Sequence, residues 1–141
     1  MLKGLPAALS PPLLLALAEM GHGDEVALVD ANFPAASVAR RAVVRLDGSD
    51  AVAALEAVLT LLPLDDFVPA PAAVMADPSG EPPVVAAFRA ALAAAEGRPV
   101  EVESLDRFAF YDRARAAHAV VATGERRLYG NILLRKGVVR P

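Results

Sequence analysis

Two histidines are the only side chains of this 141-residue sequence whose ordinary pKa, about 6.5, lies near neutrality. His22 stands between Gly21 and Gly23, where a mobile imidazole could pass a proton. The same position also suits an exposed residue just beyond a helix C-terminus. His118 opens an apolar stretch after Ala116-Ala117 and reads as a packed or strand-edge residue. Asp30 closes another apolar run beside Asn32, where an aspartate either holds a ligand or forms a turn. Arg107 and Tyr111 are four apart, so on a helix a guanidinium and a phenol share one face. The alternative is an arginine lying along its own helix while the tyrosine packs. Tyr129-Gly130-Asn131 offers a phenol, a flexible backbone and an amide, in what spacing alone makes a turn before the last strand. Asp65 and Asp66 are adjacent, so on an extended backbone they point apart and form no carboxylate pair. There is no Ser–His–Asp spacing, no metal-ligand cluster and no glycine-rich nucleotide signature. Residue chemistry alone therefore reaches an α/β domain with a polar small-molecule site holding one histidine.

Composition narrows the partners. The chain has no cysteine, which excludes a disulfide framework, a thiolate metal site and a cysteine nucleophile. A net charge of −3 with scattered arginines argues against nucleic acid. The 55% hydrophobic content is high for one short domain and points to a homo-oligomer that covers part of it. The apolar stretch from Leu5 to Ala18 is interrupted by Pro11 and Pro12 and is too short to span a membrane. It reads as a helix with Ser10 as N-cap, Pro11 at its first position and Gly21 past its end, on a cytoplasmic protein.

The elements that must position these residues alternate. Strands are expected at Glu25–Ala31, Ala42–Leu46, Ala72–Ala76, Val100–Ser104 and His118–Thr123, with a final extended segment over Leu128–Val139. Between them, helices are expected at Asp50–Leu62, Val84–Glu96 and Asp106–Ala117, after a first helix over Leu13–Met20. Repeated strand–helix–strand units predict a single α/β domain over residues 1–141, with a largely parallel sheet between two helical layers.

Taken in order, six segments resemble one family. They are Glu19–Glu25, Asp30–Pro34, Pro63–Asp65, Arg107–Tyr111, Thr123–Glu125 and Tyr129–Val138. Together they resemble the fucose mutarotase branch of the fucose mutarotase/ribose pyranase family, and the likeness runs from the first helix to the carboxyl terminus. The ribose branch is not expected to carry Arg-Phe-x-Phe-Tyr or Tyr-Gly-Asn in this form. The resemblance implies a Rossmann-like three-layer α/β/α fold and a ring-shaped homodecamer with sites near subunit contacts. It also implies interconversion of the anomers of a monosaccharide, L-fucose, by acid/base ring opening without metal or cofactor. It carries over His22 as proton donor and Asp30, Arg107, Tyr129 and Asn131 as sugar contacts. It adds Met75 as a contact, and Asp65 or Tyr111 as the group acting at the other oxygen. Asn32 stands where the family often has a histidine, and His118 where it often has an apolar residue. Ribose pyranase activity and non-catalytic sugar binding are the alternatives.

Overall fold

The computed structural model describes residues 2–141. The elements run α1 (Pro11–Glu19), β1 (Glu25–Val29), α2 (Ala35–Val38), β2 (Ala42–Leu46), α3 (Ala51–Leu59), β3 (Ala72–Met75), α4 (Pro83–Glu96), β4 (Val102–Leu105), α5 (Arg107–Ala116), β5 (Ala119–Thr123) and β6 (Ile132–Arg135). Local chemistry explains most of the boundaries. Pro11 occupies the first turn of α1, where its missing N–H costs nothing. Ser10 precedes it as expected but makes no capping bond, and its hydroxyl is buried without a partner. Asp50 caps α3 through Ala53 N at 2.8 Å, and Asp106 caps α5 through Phe108 N and Ala109 N. Gly97 ends α4 in the left-handed conformation at φ 69°.

Four differences from the sequence reading matter. The first strand stops at Val29, which frees Asp30 to turn its carboxylate toward Asn32 N at 2.9 Å. α3 ends at Leu59, three residues early, where Thr60 bonds back to the Ala57 carbonyl through both N–H and hydroxyl. A short helix, α2, follows Pro34 where no element was expected. The extended tail narrows to β6, flanked by the 124–131 loop and by a C-terminal stretch from Lys136 onward.

The strands form one six-stranded sheet in the order β2-β5-β1-β6-β3-β4. Pairs β1–β5, β2–β5 and β3–β4 are parallel, as the alternating pattern predicts. β6 runs antiparallel to both β1 and β3. The reason is chain length: residues 124–131 are fewer than the roughly twelve a parallel crossover needs, so the chain turns back. That reversal lays the 124–131 loop across the carboxyl end of β1.

Strand alternation builds the three layers. Val26, Leu28, Val44, Val74, Val121 and Leu134 face α1, α3 and α4 in the larger core, which Leu13, Leu55, Phe88 and Leu92 fill. Ala27, Val29, Ala73, Val120 and Leu133 face α2 and α5 in a smaller core sealed by Phe33, Phe110 and Ala114. Both faces of the central strands are covered, so β1, β3 and β5 read as nearly unbroken apolar runs. No helix among the described residues is long and apolar enough to cross a membrane.

Candidate active site

Ligand sites of open α/β sheets lie beyond the carboxyl ends of parallel strands. Here β1 and β3 end side by side across the first residues of β6. Asp30 follows β1, Met75 ends β3 and Asn131 precedes β6. Asn131 grips Asp30 twice: its Oδ1 accepts from Asp30 N at 2.8 Å, and its Nδ2 donates to Asp30 Oδ2 at 3.0 Å. Both residues are buried, at 6% and 2% exposure. Burial pushes the Asp30 carboxyl above its ordinary value, against hydrogen bonds from Asn32, Asn131, Phe33 and Gly130 that pull it down. A buried carboxyl raised in this way can exchange a proton closer to neutrality than an exposed one.

These residues form the floor of a cleft of about 190 Å³ whose walls include Arg107, Tyr111, Leu128 and Tyr129. Its size suits a monosaccharide rather than a dinucleotide. Arg107 and Tyr111 share one face of α5 as their spacing predicted. Tyr111 is steadied edge-on by Phe33, with ring centroids 5.1 Å apart at 81°. Tyr129 takes a left-handed backbone at φ 59°, uncommon for a bulky residue and typical of a loop held for function. Six residues expected to act together therefore meet here: Asp30, Met75, Arg107, Tyr111, Tyr129 and Asn131.

His22 and Asp65 do not join them within one chain. They meet each other instead, with His22 Nε2 at 3.1 Å from Asp65 Oδ1. His22 precedes β1 while Asp30 follows it, so the length of β1 separates the two groups by roughly 20 Å at about 3.3 Å per residue. The Asp65 side chain is 1% exposed, whereas Asp66 is exposed and pairs with Arg140, so the two adjacent carboxylates do point apart. Burial is the largest effect on Asp65 and pushes it up. Hydrogen bonds from Phe67 N, His22 and Arg135 outweigh it and hold the carboxyl below the ordinary range. Phe67 lies against the imidazole at 5.2 Å. His118 is largely buried, and its imidazole lies 3.4 Å from Glu19.

The segment Thr123–Glu125 belongs to the family-like series, but the sequence assigns no role to Glu125 and Arg127, which hold the cleft loop. Glu125 is 3% exposed and accepts from Arg127 Nε, Arg127 Nη2 and Arg127 N. It also accepts from Ala51 N at the start of α3, and its own carbonyl receives Ala31 N. It thus ties the loop carrying Tyr129 and Asn131 both to the β1 exit and to a helix of the opposite layer. Gly124 is needed beside it, because a Cβ there would run into the Asp47 carbonyl and lie 3.4 Å from Ser49 O. The signal for them is an acidic residue two positions after an apolar strand, with an arginine two positions further on. The Arg127 guanidinium holds the Glu125 carboxyl down at about 2. Because the folded state favours the carboxylate, the stabilisation is full above the ordinary 4.5 and is lost as pH falls from there toward about 2. With Arg127 half exposed and screened by solvent, its size is about 1 kcal/mol. Glu125→Gln should lower the melting temperature at neutral pH, and the gap to wild type should close on acidification. A gap that persists below pH ~2 would contradict this assignment.

The sheet and its carboxyl-end cleft define an α/β protein with a compact polar-ligand site. A family model described as the RbsD / FucU transport protein family matches residues 3–139. A fucose mutarotase of Mus musculus is 49% identical over 98% of this chain and 95% of its own length. An L-fucose mutarotase of Actinobacillus pleuropneumoniae serotype 5b is 48% identical over 98% of this chain and 97% of its own. The solved fucose mutarotase of Streptococcus pneumoniae in complex with L-fucose superposes with a TM-score of 0.90 at 42% identity, covering 99% of this chain and 100% of that one. Bacillus subtilis RbsD complexed with D-ribose shares the fold, with a TM-score of 0.73 at 21% identity over 99% of this chain and 100% of that one. The chain belongs to the RbsD/FucU family.

Proposed function

We propose that the protein interconverts the α and β anomers of L-fucose. One observation carries the reading: Asp30 and Asn131 lock each other at the foot of a monosaccharide-sized cleft walled by Arg107, Tyr111 and Tyr129, on a chain about half identical to fucose mutarotases. Asp30, Asn131 and Arg107 hold the sugar hydroxyls, while Met75, Phe33 and Leu128 offer apolar surface to a 6-deoxy sugar.

Mutarotation needs the anomeric hydroxyl to lose a proton while the ring oxygen gains one. The ring C–O bond breaks to give the open aldehyde, which rotates and closes on its other face as both protons return. Two positioned acid/base groups suffice. His22 is the proton donor. Asp65 orients it, since three hydrogen bonds already occupy that carboxylate. Tyr111, inside the cleft, serves at the other oxygen, directly or through water.

For these groups to meet, the His22 half of one copy must face the Asp30 cleft of another. Large apolar side chains flank both halves: Phe67 at 65% exposure beside His22, and Phe108 and Leu128 at 67% and 66% beside the cleft. These are surfaces that a neighbouring copy would cover. The assembly is a homo-oligomer, a ring-shaped decamer, acting in the cytoplasm without metal or cofactor.

The test is NMR exchange between the anomers of L-fucose with and without protein, with D-ribose in parallel and a weakly catalytic buffer. Faster exchange for fucose than for ribose is expected. Acceleration of neither sugar, with binding retained, would replace the enzyme by a sugar-binding protein.

A further inference from the structure

We infer that Arg135 is a positioning residue of His22: it fixes Asp65 so that the imidazole keeps one proton on Nε2 and presents Nδ1 to solvent or substrate, where Nδ1 takes up a proton and then donates it. The part of this that concerns catalysis rests on the mutarotase reading; the part that concerns the imidazole does not.

A buried carboxylate must fill its acceptor capacity. Asp65 Oδ1 receives His22 Nε2 at 3.1 Å and Phe67 N at 3.0 Å, and Oδ2 receives Arg135 Nε at 3.0 Å. Without Arg135, Oδ2 would be a buried charged oxygen with no partner, and the group would gain by rotating or taking up a proton. Rotation moves Oδ1 away from Nε2 of His22, and protonation weakens Oδ1 as an acceptor and gives the carboxyl an O–H of its own to donate to a bare Nε2, so in neither state is an N–H required there.

The surroundings keep Arg135 on this task. It lines a groove with Glu25, Glu103 and Arg113, and Arg113 bonds both of those glutamates. The carboxylates that could draw Arg135 away are therefore already paired. The backbone acts in the same direction. Asp65 N donates to the Arg135 carbonyl at 3.0 Å, so one residue holds Asp65 by main chain and side chain together. Gly23 N donates to the Lys136 carbonyl at 2.8 Å, and Lys136 N to the Asp24 carbonyl at 2.8 Å, which stitches the His22 turn to the same segment. Gly23 sits at φ +86°, and a Cβ there would lie 3.3 Å from Arg135 Nη2, so the turn packs directly on the guanidinium. The other charged groups nearby are committed elsewhere. Asp24 accepts from Gly21 N, Lys136 Nζ caps the end of α1 at Met20 O, and Arg140 lies over Phe67 while paired with Asp66. Arg135 itself is absent from the cleft lining, and its polar link to His22 runs through Asp65.

The experiment reads the imidazole directly. Long-range ¹H–¹⁵N spectra are recorded at about pH 8, above the ordinary imidazole pKa, for the full-length wild type, Arg135→Met and Arg135→Lys. His118 serves as internal control, and L-fucose exchange kinetics are measured on the same samples. The wild type should show the Nε2–H tautomer of His22. Arg135→Met should give mixed tautomers, with kcat down about 10- to 100-fold and KM within about twofold, since the sugar contacts lie in the other half-site. Arg135→Lys, which keeps the charge but lacks the Nε donor, should fall between the two. Should Arg135→Met fail to fold, Arg135→Lys decides alone, because it should still show mixed tautomers and a reduced kcat. Wild-type tautomer and kcat in every folded variant would overturn the inference. A tautomer change in a protein whose wild type accelerates no sugar would overturn the mutarotase reading and leave the positioning role intact.

Discussion

Replacing His22 by alanine should lower the fucose exchange rate at least about 100-fold, the usual size of a lost acid/base group, while leaving fold and assembly unchanged. The expectation of an intact fold comes from where the side chain sits. His22 is 46% exposed and lies in a turn held by backbone bonds from Gly23 to Lys136 and from Asp24 to Gly21, none of which needs the imidazole. Its removal leaves Asp65 still bonded to Phe67 N and Arg135, so the buried carboxylate keeps two partners. A loss of rate would therefore report chemistry and not unfolding. Circular dichroism and sedimentation on the same sample make the separation. Near-full activity of a folded His22→Ala variant would remove the histidine from the mechanism and turn attention to the raised Asp30 carboxyl.

Co-expression of two impaired chains should restore activity. Asp30→Asn alters the cleft floor, and it should cut the rate at least about tenfold because one of the two bonds to Asn32 N and Asn131 Nδ2 meets an amide N–H in place of an oxygen. His22→Ala and Asp30→Asn each spoil one half of the site. If every site joins the His22 half of one copy to the Asp30 half of another, random mixing leaves about a quarter of the sites intact. Differently tagged chains, co-expressed and purified through both tags, should then show roughly that fraction of wild-type exchange. No recovery above the sum of the two parents would show that neighbouring chains do not share the site. The prediction follows from distance: β1 places the two halves roughly 20 Å apart within one chain, too far for both to touch one six-carbon sugar.

Much of the fold was legible in the sequence because its signals are local. The 3.6-residue spacing of Val85, Phe88 and Leu92 marks α4, that of Val52, Leu55, Val58 and Leu59 marks α3, and apolar runs bounded by turns mark the strands. The shared face of Arg107 and Tyr111 was equally local, being one helical turn. The grip of Asn131 on Asp30 spans 101 residues, and that of Asp65 on His22 spans 43. No periodicity carries such pairings; they exist because β6 pushes between β1 and β3. The antiparallel course of β6 is likewise a tertiary outcome, set by a connection too short to cross the sheet.

The sequence by itself determined the residue types of both clusters, the elements that carry them and the alternation that buries one strand face in each core. Only the tertiary structure decided that these residues form two clusters at opposite ends of β1, that Asp65 bonds His22, Phe67 N and Arg135 at once, and that Arg135 and Glu125 support one cluster each. The physical reason is that propensity and spacing act over a few residues. Which strands lie side by side, and so which side chains share a dielectric and a hydrogen bond, is settled by the competition of the whole chain for burial and pairing.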